Sequence, residues 1–269
     1  MKHYKKVLTI AGSDSGGGAG IQADIKTMSA CGCYAMSAIT AITAQNTVGV
    51  SRIHNIPADM VAAQIAAVLE DIGVDAVKLG MLPTEASVVA IAGLLKKYEV
   101  TNVVLDPVMV STSGSRLIDE PAAEAIRTHL FPLATVVTPN IPETESLTGL
   151  KIGSEADFAG AAVAISQQRV RAVLFKAGHL DGETLIDYLF DNEKLIRHYR
   201  YDRINTLNTH GTGCSLSSAI ASYLALEYPL AEAVQLAENY LHKAILNGCE
   251  YRLGHGHGPV HHFYKWWAE

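Results

Sequence analysis

The sequence predicts an α/β protein in which a mostly parallel sheet carries helices on both faces. The first observation is a repeated alternation of short apolar runs with amphipathic stretches, which extends to Phe175. The second is a polar residue at or just beyond the end of several apolar runs: Asp14, Asp106, Asn140 and Lys176. A single polar strand end is ordinary, because strand ends meet loops. Their repetition favours an enzyme, because ligands of open parallel sheets bind at the carboxyl ends of the strands.

The individual elements follow from the period of the apolar residues. Strands are predicted at residues 7–11, 34–44, 48–53, 76–79, 103–105, 135–137 and 172–175, and helices at residues 21–30, 58–72, 84–98, 121–129 and 154–168. Beyond Lys176 the pattern changes, and residues 185–190 and 194–199 predict an antiparallel hairpin. Two helices, at residues 213–226 and 230–249, end the chain. Since no Gly/Ser-rich or Pro-rich linker interrupts this order, we expect a single domain over residues 1–269.

Composition restricts the class of protein. Hydrophobic residues make up 49% of the 269 residues and charged residues 18%, which is enough to build a substantial core. A net charge of −6 gives no electrostatic reason to bind nucleic acid or an anionic membrane. The apolar run near the N-terminus is too short for a signal peptide, so we expect a cytoplasmic protein. The four cysteines form no paired C-x-x-C motifs, and neither a structural zinc site nor a disulfide framework is expected.

The segment Asn208-Thr209-His210-Gly211-Thr212-Gly213-Cys214 directly precedes a predicted helix. Glycines let the backbone N–H groups turn toward one point, and the helix N-terminus adds partial positive charge. This arrangement predicts an anion hole for a phosphoryl group in transfer. A helix N-terminus lowers a thiol pKa, so Cys214 is a candidate general base. A glycine-rich helix entry with a buried cysteine is an equally good interpretation of this segment alone.

Two further segments indicate a small-molecule site. The glycine-rich loop at residues 12–20 lacks both a clean dinucleotide fingerprint and a Walker lysine, so we interpret it as a loop that approaches a small substrate. Asp24, on the next helix, is by itself best explained as a solvated helix residue. Gln45 carries an amide that donates and accepts together, which suits an aminopyrimidine or pyridine edge. Turn chemistry is the stronger explanation of its neighbour Asn46.

Charged residues at later strand ends predict a phosphate site. Asp106 and Glu143 can hold Mg²⁺, partly through water, although Asn140 and Glu143 also have the spacing of a helix capping box. Lys176 ends a fully apolar strand, where a cation needs a partner or a ligand phosphate, and we favour phosphate. The histidines of residues 254–262 have no acidic or thiol partner nearby in sequence, so we interpret them as loop histidines.

Taken together, these segments resemble the bacterial hydroxymethylpyrimidine and phosphomethylpyrimidine kinases of the ribokinase-like superfamily. The resemblance runs through nearly the whole chain. It rests on AGSDSGGGAGIQAD (11–24), AITAQNT (41–47), VKLGML (77–82), LDPVMVSTSG (105–114), TPNIPE (138–143), FKAGH (175–179), HGTGCSLSSAIAS (210–222) and GHGPVHH (256–262). It implies a three-layer α/β/α sandwich with a small β flap, the use of ATP and Mg²⁺, and a homodimer. It also implies stepwise phosphorylation of 4-amino-5-hydroxymethyl-2-methylpyrimidine to the monophosphate and then the diphosphate, in thiamine biosynthesis.

The resemblance also implies roles for individual residues. Gln45 matches the residue that grips the pyrimidine, and five others match the opposite wall: Gly12, Ala19, Asp24, Met81 and Val108. Cys214 matches the catalytic position, and the anion hole corresponds to Gly211, Thr212 and Gly213. Asp106 and Glu143 match positions near Mg²⁺, and the positions near the ATP phosphates are Asn140, Lys176 and Thr209.

The cysteine at position 214 is compatible with two different phosphoryl acceptors. Most members of the superfamily have Asp at this position, and Cys is typical of the pyrimidine kinases. Cys also occurs in a branch of pyridoxal kinases, so pyridoxal or pyridoxine kinase activity, alone or as a second activity, is the alternative. A non-catalytic vitamin-binding protein on the same fold is a further class, against which the intact set of Asp106, Glu143, Lys176 and Cys214 argues. The imperfect glycine fingerprint argues against a third interpretation, a nucleotide-dependent oxidoreductase.

Overall fold

A computed structural model describes residues 2–109, 118–176, 178 and 182–267. In this part of the chain, nine strands form one sheet in the order β3-β2-β1-β4-β5-β6-β7-β8-β9. The strands are β1 (Lys6–Asp14), β2 (Tyr34–Gln45), β3 (Val50–Asn55), β4 (Ala76–Leu79), β5 (Val103–Leu105), β6 (Val136–Val137), β7 (Ala172–Phe175), β8 (Thr184–Asp191) and β9 (Lys194–Asp202). The six central strands of this order are parallel to one another: β2, β1, β4, β5, β6 and β7. At the edges of the sheet, β3 pairs antiparallel with β2, and β8 and β9 continue from β7 in antiparallel pairs. The prediction of a mostly parallel sheet is confirmed.

Helices connect the strands. They are α1 (Gly20–Ala30), α2 (Ala58–Asp71), α3 (Glu85–Lys97), α4 (Glu120–Ala125), α5 (Ile141–Thr148), α6 (Asp157–Ser166), α7 (Thr212–Ala225) and α8 (Leu230–Gly248). A π-helical turn, Ile126–Leu130, continues α4. Among the described residues, no helix combines the length and the apolar composition needed to cross a membrane.

Two hydrophobic cores lie on opposite faces of the sheet. Because side chains alternate along a strand, β4 sends Val77 and Leu79 to one core and Ala76 to the other. The first core contains apolar residues of α2 to α6, and the second contains those of α1, α7 and α8. Helices therefore cover both faces, which confirms the expected three-layer α/β/α sandwich.

The main departures from the predicted elements occur beside the cavity described below. β1 continues to Asp14, because Ser13 and Asp14 still pair with β2, so the glycine-rich loop begins only after Asp14. β2 and β3 form an antiparallel hairpin at one edge of the sheet, and β3 is mostly exposed. Residues 110–114, 177 and 179, which belong to two of the segments that carry the resemblance, lie outside the described residues.

Candidate active site

A cavity of about 1010 Å³ lies over the carboxyl ends of the parallel strands and beside the N-terminus of α7. Every predicted site residue except Asp24 borders it: Gly12, Ala19, Gln45, Met81, Asp106, Val108, Asn140, Glu143, Lys176, Thr209, Gly211, Thr212, Gly213 and Cys214. The tertiary structure thus brings together residues that are separated by most of the chain.

A buried ion pair marks one end of this cavity. Lys176 Nζ donates to Asp106 Oδ1 at 2.9 Å, and the same oxygen accepts from Thr138 Oγ1 at 3.1 Å. Ser217 Oγ lies 3.4 Å from the other carboxylate oxygen, but the closer acceptor for its single hydrogen is Gly213 O at 2.9 Å. Burial raises the pKa of Asp106, but the positive charges of Lys176 and Lys78 outweigh it and hold that pKa below its ordinary value. Asp106 is therefore ionised at neutral pH.

The N-terminus of α7 lies against this ion pair. Gly211 precedes the helix with a φ of 79°, and a Cβ there would collide with the carbonyl oxygen of Gly18. Only glycine meets both demands. A Cβ at Gly213 would lie 3.3 Å from Lys176 Nζ and 3.4 Å from Asp106 Oδ2. The first backbone amides of α7 thus lie beside the cation, as an anion hole requires.

The pKa of Cys214 differs from the sequence-based expectation. Burial raises it to about 11, even though Lys78 and a hydrogen bond from the Gly20 N–H act to lower it. The nearby carboxylates of Asp24 and Asp106 raise it further. The expectation of a lowered thiol pKa was wrong for this state of the protein, because loss of hydration outweighs the helix terminus. Cys214 is a neutral thiol at pH 7.

Glu143 and Asn140 form the capping box whose spacing the sequence shows. The Asn140 N–H donates to Glu143 Oε2 at 2.8 Å, and the Glu143 N–H donates to Asn140 Oδ1 at 2.9 Å. Burial raises the pKa of Glu143 to about 7, with Lys176 opposing and Asp106 reinforcing the rise. The pKa of one carboxylate of the predicted metal pair therefore lies near neutral pH, and this side chain borders the cavity while it accepts the Asn140 N–H.

Asp24 lies beneath the cavity rather than in its wall. It is fully buried and accepts hydrogen bonds from Thr9 Oγ1 at 2.6 Å and Ser218 Oγ at 2.7 Å. Lys78 Nζ donates to both of its oxygens at 2.9 Å. Ser218 is one helical turn beyond Cys214, so the Asp24–Lys78 pair supports the face of α7 that carries the thiol. Lys78 borders the cavity floor, although its side chain is fully buried.

At the opposite end of the cavity, Asp14 organises the glycine-rich loop. Its Oδ1 accepts from the Gly16 N–H at 2.7 Å, and its Oδ2 accepts from the N–H groups of Gly18 and Ala19 at 3.0 and 2.8 Å. His210 Nε2 lies 2.9 Å from the same Oδ2. Gln45, which borders the cavity, lies 3.3 Å from His210 Nε2 through one end of its carboxamide. The loop, the predicted substrate residue and the entry of α7 therefore form one network.

The apolar wall at this end comes from Gly12, Ala19, Met81 and Val108. A Cβ at Gly12 would lie 3.0 Å from Met81 Sδ, so glycine lets that thioether pack close to β1. The histidine-rich segment contacts the same region through its backbone: the His257 N–H donates to Thr47 O at 3.0 Å, and the His210 N–H donates to Gly258 O at 3.0 Å.

Sequence reasoning missed Lys78 and His210. Lys78 lies in Ala76–Leu79, where every other residue is apolar, which is the signal that singled out Lys176. His210 carries no local signal, because its partner Asp14 lies 196 residues away in the chain.

Sequence comparison agrees with this geometry. A family model described as phosphomethylpyrimidine kinase matches residues 14–261. The hydroxymethylpyrimidine/phosphomethylpyrimidine kinase of Rhizobium meliloti is 51% identical over 263 residues, which are 97% of this chain and 98% of that protein. The enzyme of the same name from Escherichia coli is 44% identical over 261 residues, with 97% and 98% of the two chains covered.

Solved structures of two kinds resemble the fold. The crystal structure of phosphomethylpyrimidine kinase from Clostridium difficile is 47% identical, covers 89% of this chain and 99% of its own, and has a TM-score of 0.78. An ADP complex of Bacillus subtilis pyridoxal kinase is 37% identical, covers 97% and 98%, and has a TM-score of 0.89. With the family model and these relatives in agreement, the chain belongs to the phosphomethylpyrimidine kinase family.

Proposed function

We propose that this protein transfers phosphate from ATP to the hydroxymethyl group of 4-amino-5-hydroxymethyl-2-methylpyrimidine, and then to the resulting monophosphate, in thiamine biosynthesis. The observation that carries the proposal is one cavity with two chemically different ends. Gln45 and the apolar wall suit a small heterocycle, whereas Lys176, Asp106 and the start of α7 suit phosphates. Relatives that are 51% and 44% identical to this chain carry the names of kinases for these two steps.

On the phosphate side, we assign Lys176 to the phosphates of ATP, with Asn140 and Thr209 beside it. The amides of residues 211–213 would hold the phosphoryl group in transfer, where positioning and electrostatics supply most of the catalysis. This assignment matches the surroundings of Lys176, since a Cβ at Gly213, in the first turn of α7, would lie 3.3 Å from its ammonium group.

Asp106 and Glu143 are the residues that would hold Mg²⁺. In the described residues, no three His, Cys, Asp or Glu side chains converge as a metal site. Two carboxylates nevertheless fit Mg²⁺, which is commonly held by one or two carboxylates together with substrate phosphates. When bound, Mg²⁺ neutralises charge on the phosphate oxygens.

In the first transfer, the substrate hydroxyl oxygen forms the new P–O bond while the bond from the γ-phosphorus to ADP breaks. The hydroxyl proton passes to Cys214, which must first be in its thiolate form. With a pKa of about 11, only about one thiol in 10⁴ is ionised at pH 7. In the second transfer the nucleophile is a phosphate oxygen that is already ionised, so Cys214 contributes less.

Pyridoxal kinase activity is a second candidate function. The observation that favours it is the fold itself, because pyridoxal kinases from Bacillus subtilis and Staphylococcus aureus superpose with TM-scores of 0.89. A Staphylococcus aureus complex with AMP-PCP and pyridoxal is 36% identical to this chain. We propose pyridoxal phosphorylation as a weaker side activity, because the higher sequence identities belong to pyrimidine kinases.

A coupled assay of ADP release tests both proposals. The hydroxymethylpyrimidine, its monophosphate and pyridoxal are compared at equal concentrations with ATP and Mg²⁺. We expect turnover with both pyrimidines and slower turnover with pyridoxal. Turnover of pyridoxal alone would overturn the pyrimidine assignment, and ADP release with none of the three would favour a binding protein.

We also propose that the protein is a cytoplasmic homodimer. An ATP-consuming enzyme that depends on a free thiol requires a reducing compartment, which supports the cytoplasm. Three exposed apolar side chains around the β2–β3 edge, Ile42, Ile53 and Met60, offer a surface for a second copy. Light scattering after size exclusion should give twice the chain mass, and a monomer at micromolar concentration would contradict the dimer.

A further inference from the structure

The hydrogen bonds that Asp14 accepts determine which ring nitrogen of His210 carries a proton. Asp14 accepts three backbone N–H groups, which only a carboxylate does well. Burial raises the pKa of Asp14, but the hydrogen bonds from His210 and from the Ala19 and Gly16 N–H groups outweigh it and lower that pKa below its ordinary value. Its remaining close partner is His210 Nε2, at 2.9 Å from Oδ2. An ionised carboxylate has no hydrogen to give, so His210 Nε2 is the donor. This holds whether the imidazole is neutral or protonated.

The same argument then orients the carboxamide of Gln45. One end of that amide lies 3.3 Å from His210 Nε2. A protonated Nε2 has no lone pair to accept an amide N–H, so the amide oxygen must face it and shares the Nε2 hydrogen with Asp14 Oδ2, which is closer at 2.9 Å. The other end lies 3.1 Å from Thr43 Oγ1, whose single hydrogen goes to Ser13 O at 2.9 Å. Thr43 Oγ1 can therefore only accept, and it pairs with the amide nitrogen. Both contacts are satisfied when the Gln45 oxygen faces His210 and its nitrogen faces Thr43.

His210 is held rigidly enough to impose this orientation. Its side chain is buried, and its ring lies where a Cβ of Gly18 would be, so the loop glycine makes room for it. Its backbone N–H donates to Gly258 O at 3.0 Å and pairs it with the C-terminal segment. A ring with these contacts has no freedom to turn away from Asp14 and Gln45.

We propose that His210, anchored by Asp14, is a positioning residue that fixes the Gln45 carboxamide in one orientation and thereby selects the acceptor. The oriented amide offers the cavity one N–H hydrogen beside one oxygen lone pair. This pattern pairs with a ring nitrogen next to an exocyclic amine, as in a 4-aminopyrimidine, and places the neighbouring hydroxymethyl group on one defined side. A reversed amide would bind the same edge with the ring turned over. The inference rests on the proposed pyrimidine kinase function.

Two variants and two acceptors test the proposal. His210→Phe removes the donor, and His257→Phe, at an exposed position in the same histidine-rich tail, is the matched control. The acceptors are the aminopyrimidine and its analogue without the exocyclic amine. We expect the wild-type enzyme and His257→Phe to prefer the aminopyrimidine by about 100-fold in kcat/KM. In His210→Phe this preference should fall to a few-fold, mainly through the KM of the aminopyrimidine, with the KM of ATP unchanged.

Rescue and spectroscopy separate positioning from a merely structural role. His210→Gln places an N–H donor at a similar reach and should restore part of the preference. In the wild-type enzyme, long-range ¹H–¹⁵N spectra should show His210 protonated at Nε2, and a bare Nε2 would overturn the proposal even if His210→Phe fails to fold. An unchanged preference in folded His210→Phe would overturn it as well. Failure of the wild-type enzyme to phosphorylate either acceptor would instead refute the proposed function.

Discussion

Two buried lysine–aspartate pairs lie at neighbouring places in the sheet, and they differ in one respect. Lys78 and Asp24 are 2.9 Å apart with both side chains fully buried. Lys176 and Asp106 are also 2.9 Å apart, but 15% of the Lys176 side chain is exposed to the cavity. In both pairs burial lowers the lysine pKa, and the partner carboxylate outweighs this and keeps it above its ordinary value.

Exposure, rather than chemistry, separates Lys78 from Lys176, the cation that we propose binds phosphate. Each aspartate also accepts hydrogen bonds from nearby hydroxyl groups: Thr9 and Ser218 for Asp24, and Thr138 for Asp106. Although Lys78 borders the cavity floor, its side chain is fully buried, and a phosphate cannot reach its ammonium group. Its charge therefore supports the fold and the thiol above it. Under the proposed function, the exposed part of Lys176 is where a phosphate oxygen would bind, in exchange for part of the contact with Asp106.

Replacing the open lysine should produce the largest loss of activity. Lys176→Met removes the cation at the phosphate end, and we expect kcat/KM to fall by about 10³-fold for both transfers. Steady-state ADP release measures this, and thermal unfolding of the variant controls for folding. If Lys176→Met retained more than a tenth of the activity, Lys176 would not be the phosphate cation.

Replacing the sealed lysine should act mainly on stability. Lys78→Met leaves Asp24 buried without its counter-charge, which costs about 3–5 kcal/mol. Urea unfolding measures the loss, and Lys176→Met, which removes the partly exposed lysine, is the comparison variant. The double variant Lys78→Met/Asp24→Leu should recover much of the stability. Equal destabilisation by the two single variants would remove the distinction between sealed and open pairs.

The thiol between the two pairs should distinguish the two transfers. We expect Cys214→Ala to lower kcat of the first transfer by about 10²-fold and that of the second by only a few-fold. The reason is that the first nucleophile must lose a proton, whereas the second is already ionised. Single-turnover rates with each pyrimidine check this. Equal losses in both transfers would assign Cys214 a positioning role instead.

The pH dependence of the first transfer gives the same test without a variant. A base with a pKa of about 11 is protonated at neutral pH, so the thiolate fraction rises about tenfold for each pH unit from 7 to 9. The rate of the first transfer should rise with it, while that of the second stays nearly flat. A flat profile for the first transfer would show that bound substrates lower the thiol pKa.

The smallest effect is expected at Glu143, which lies close to the open pair. Its pKa is about 7 in the folded protein against an ordinary 4.5, so the folded state binds the proton more tightly and stability falls as pH rises between these values. Glu143→Gln keeps an oxygen for the Asn140 N–H and carries no charge. Without ligands at pH 8, it should stabilise the protein by about 1–3 kcal/mol.

Glu143→Gln should also lower Mg²⁺-dependent activity. The gain in unfolding free energy should vanish at pH 4.5, where the wild-type side chain is protonated as well. A variant that is no more stable than the wild type at pH 8 would mean that the carboxylate is better hydrated than its burial implies.

Much of the fold and of the candidate site could be predicted because the signals are local. The alternation of strands and helices, the glycine-rich helix entry and the apolar strand before Lys176 are each contained in a few residues. The capping box of Asn140 and Glu143 also follows from spacing alone. Lys78 could have been found in the same way as Lys176, as a lone cation in or at the end of an apolar strand. The sequence could not have told the buried lysine from the exposed one, because their exposure depends on how α1 and α7 pack over β4.

The sequence by itself determined the layered α/β fold and most of the residues that meet in the cavity, because strand and helix periods and strand-end positions are properties of neighbouring residues. Only the tertiary structure decided the protonation of Cys214, the sealed position of Asp24 and the contact of His210 with Asp14 and Gln45. These three depend on burial and on partners far away in the chain, and neither hydration nor long-range contact is encoded within a short segment.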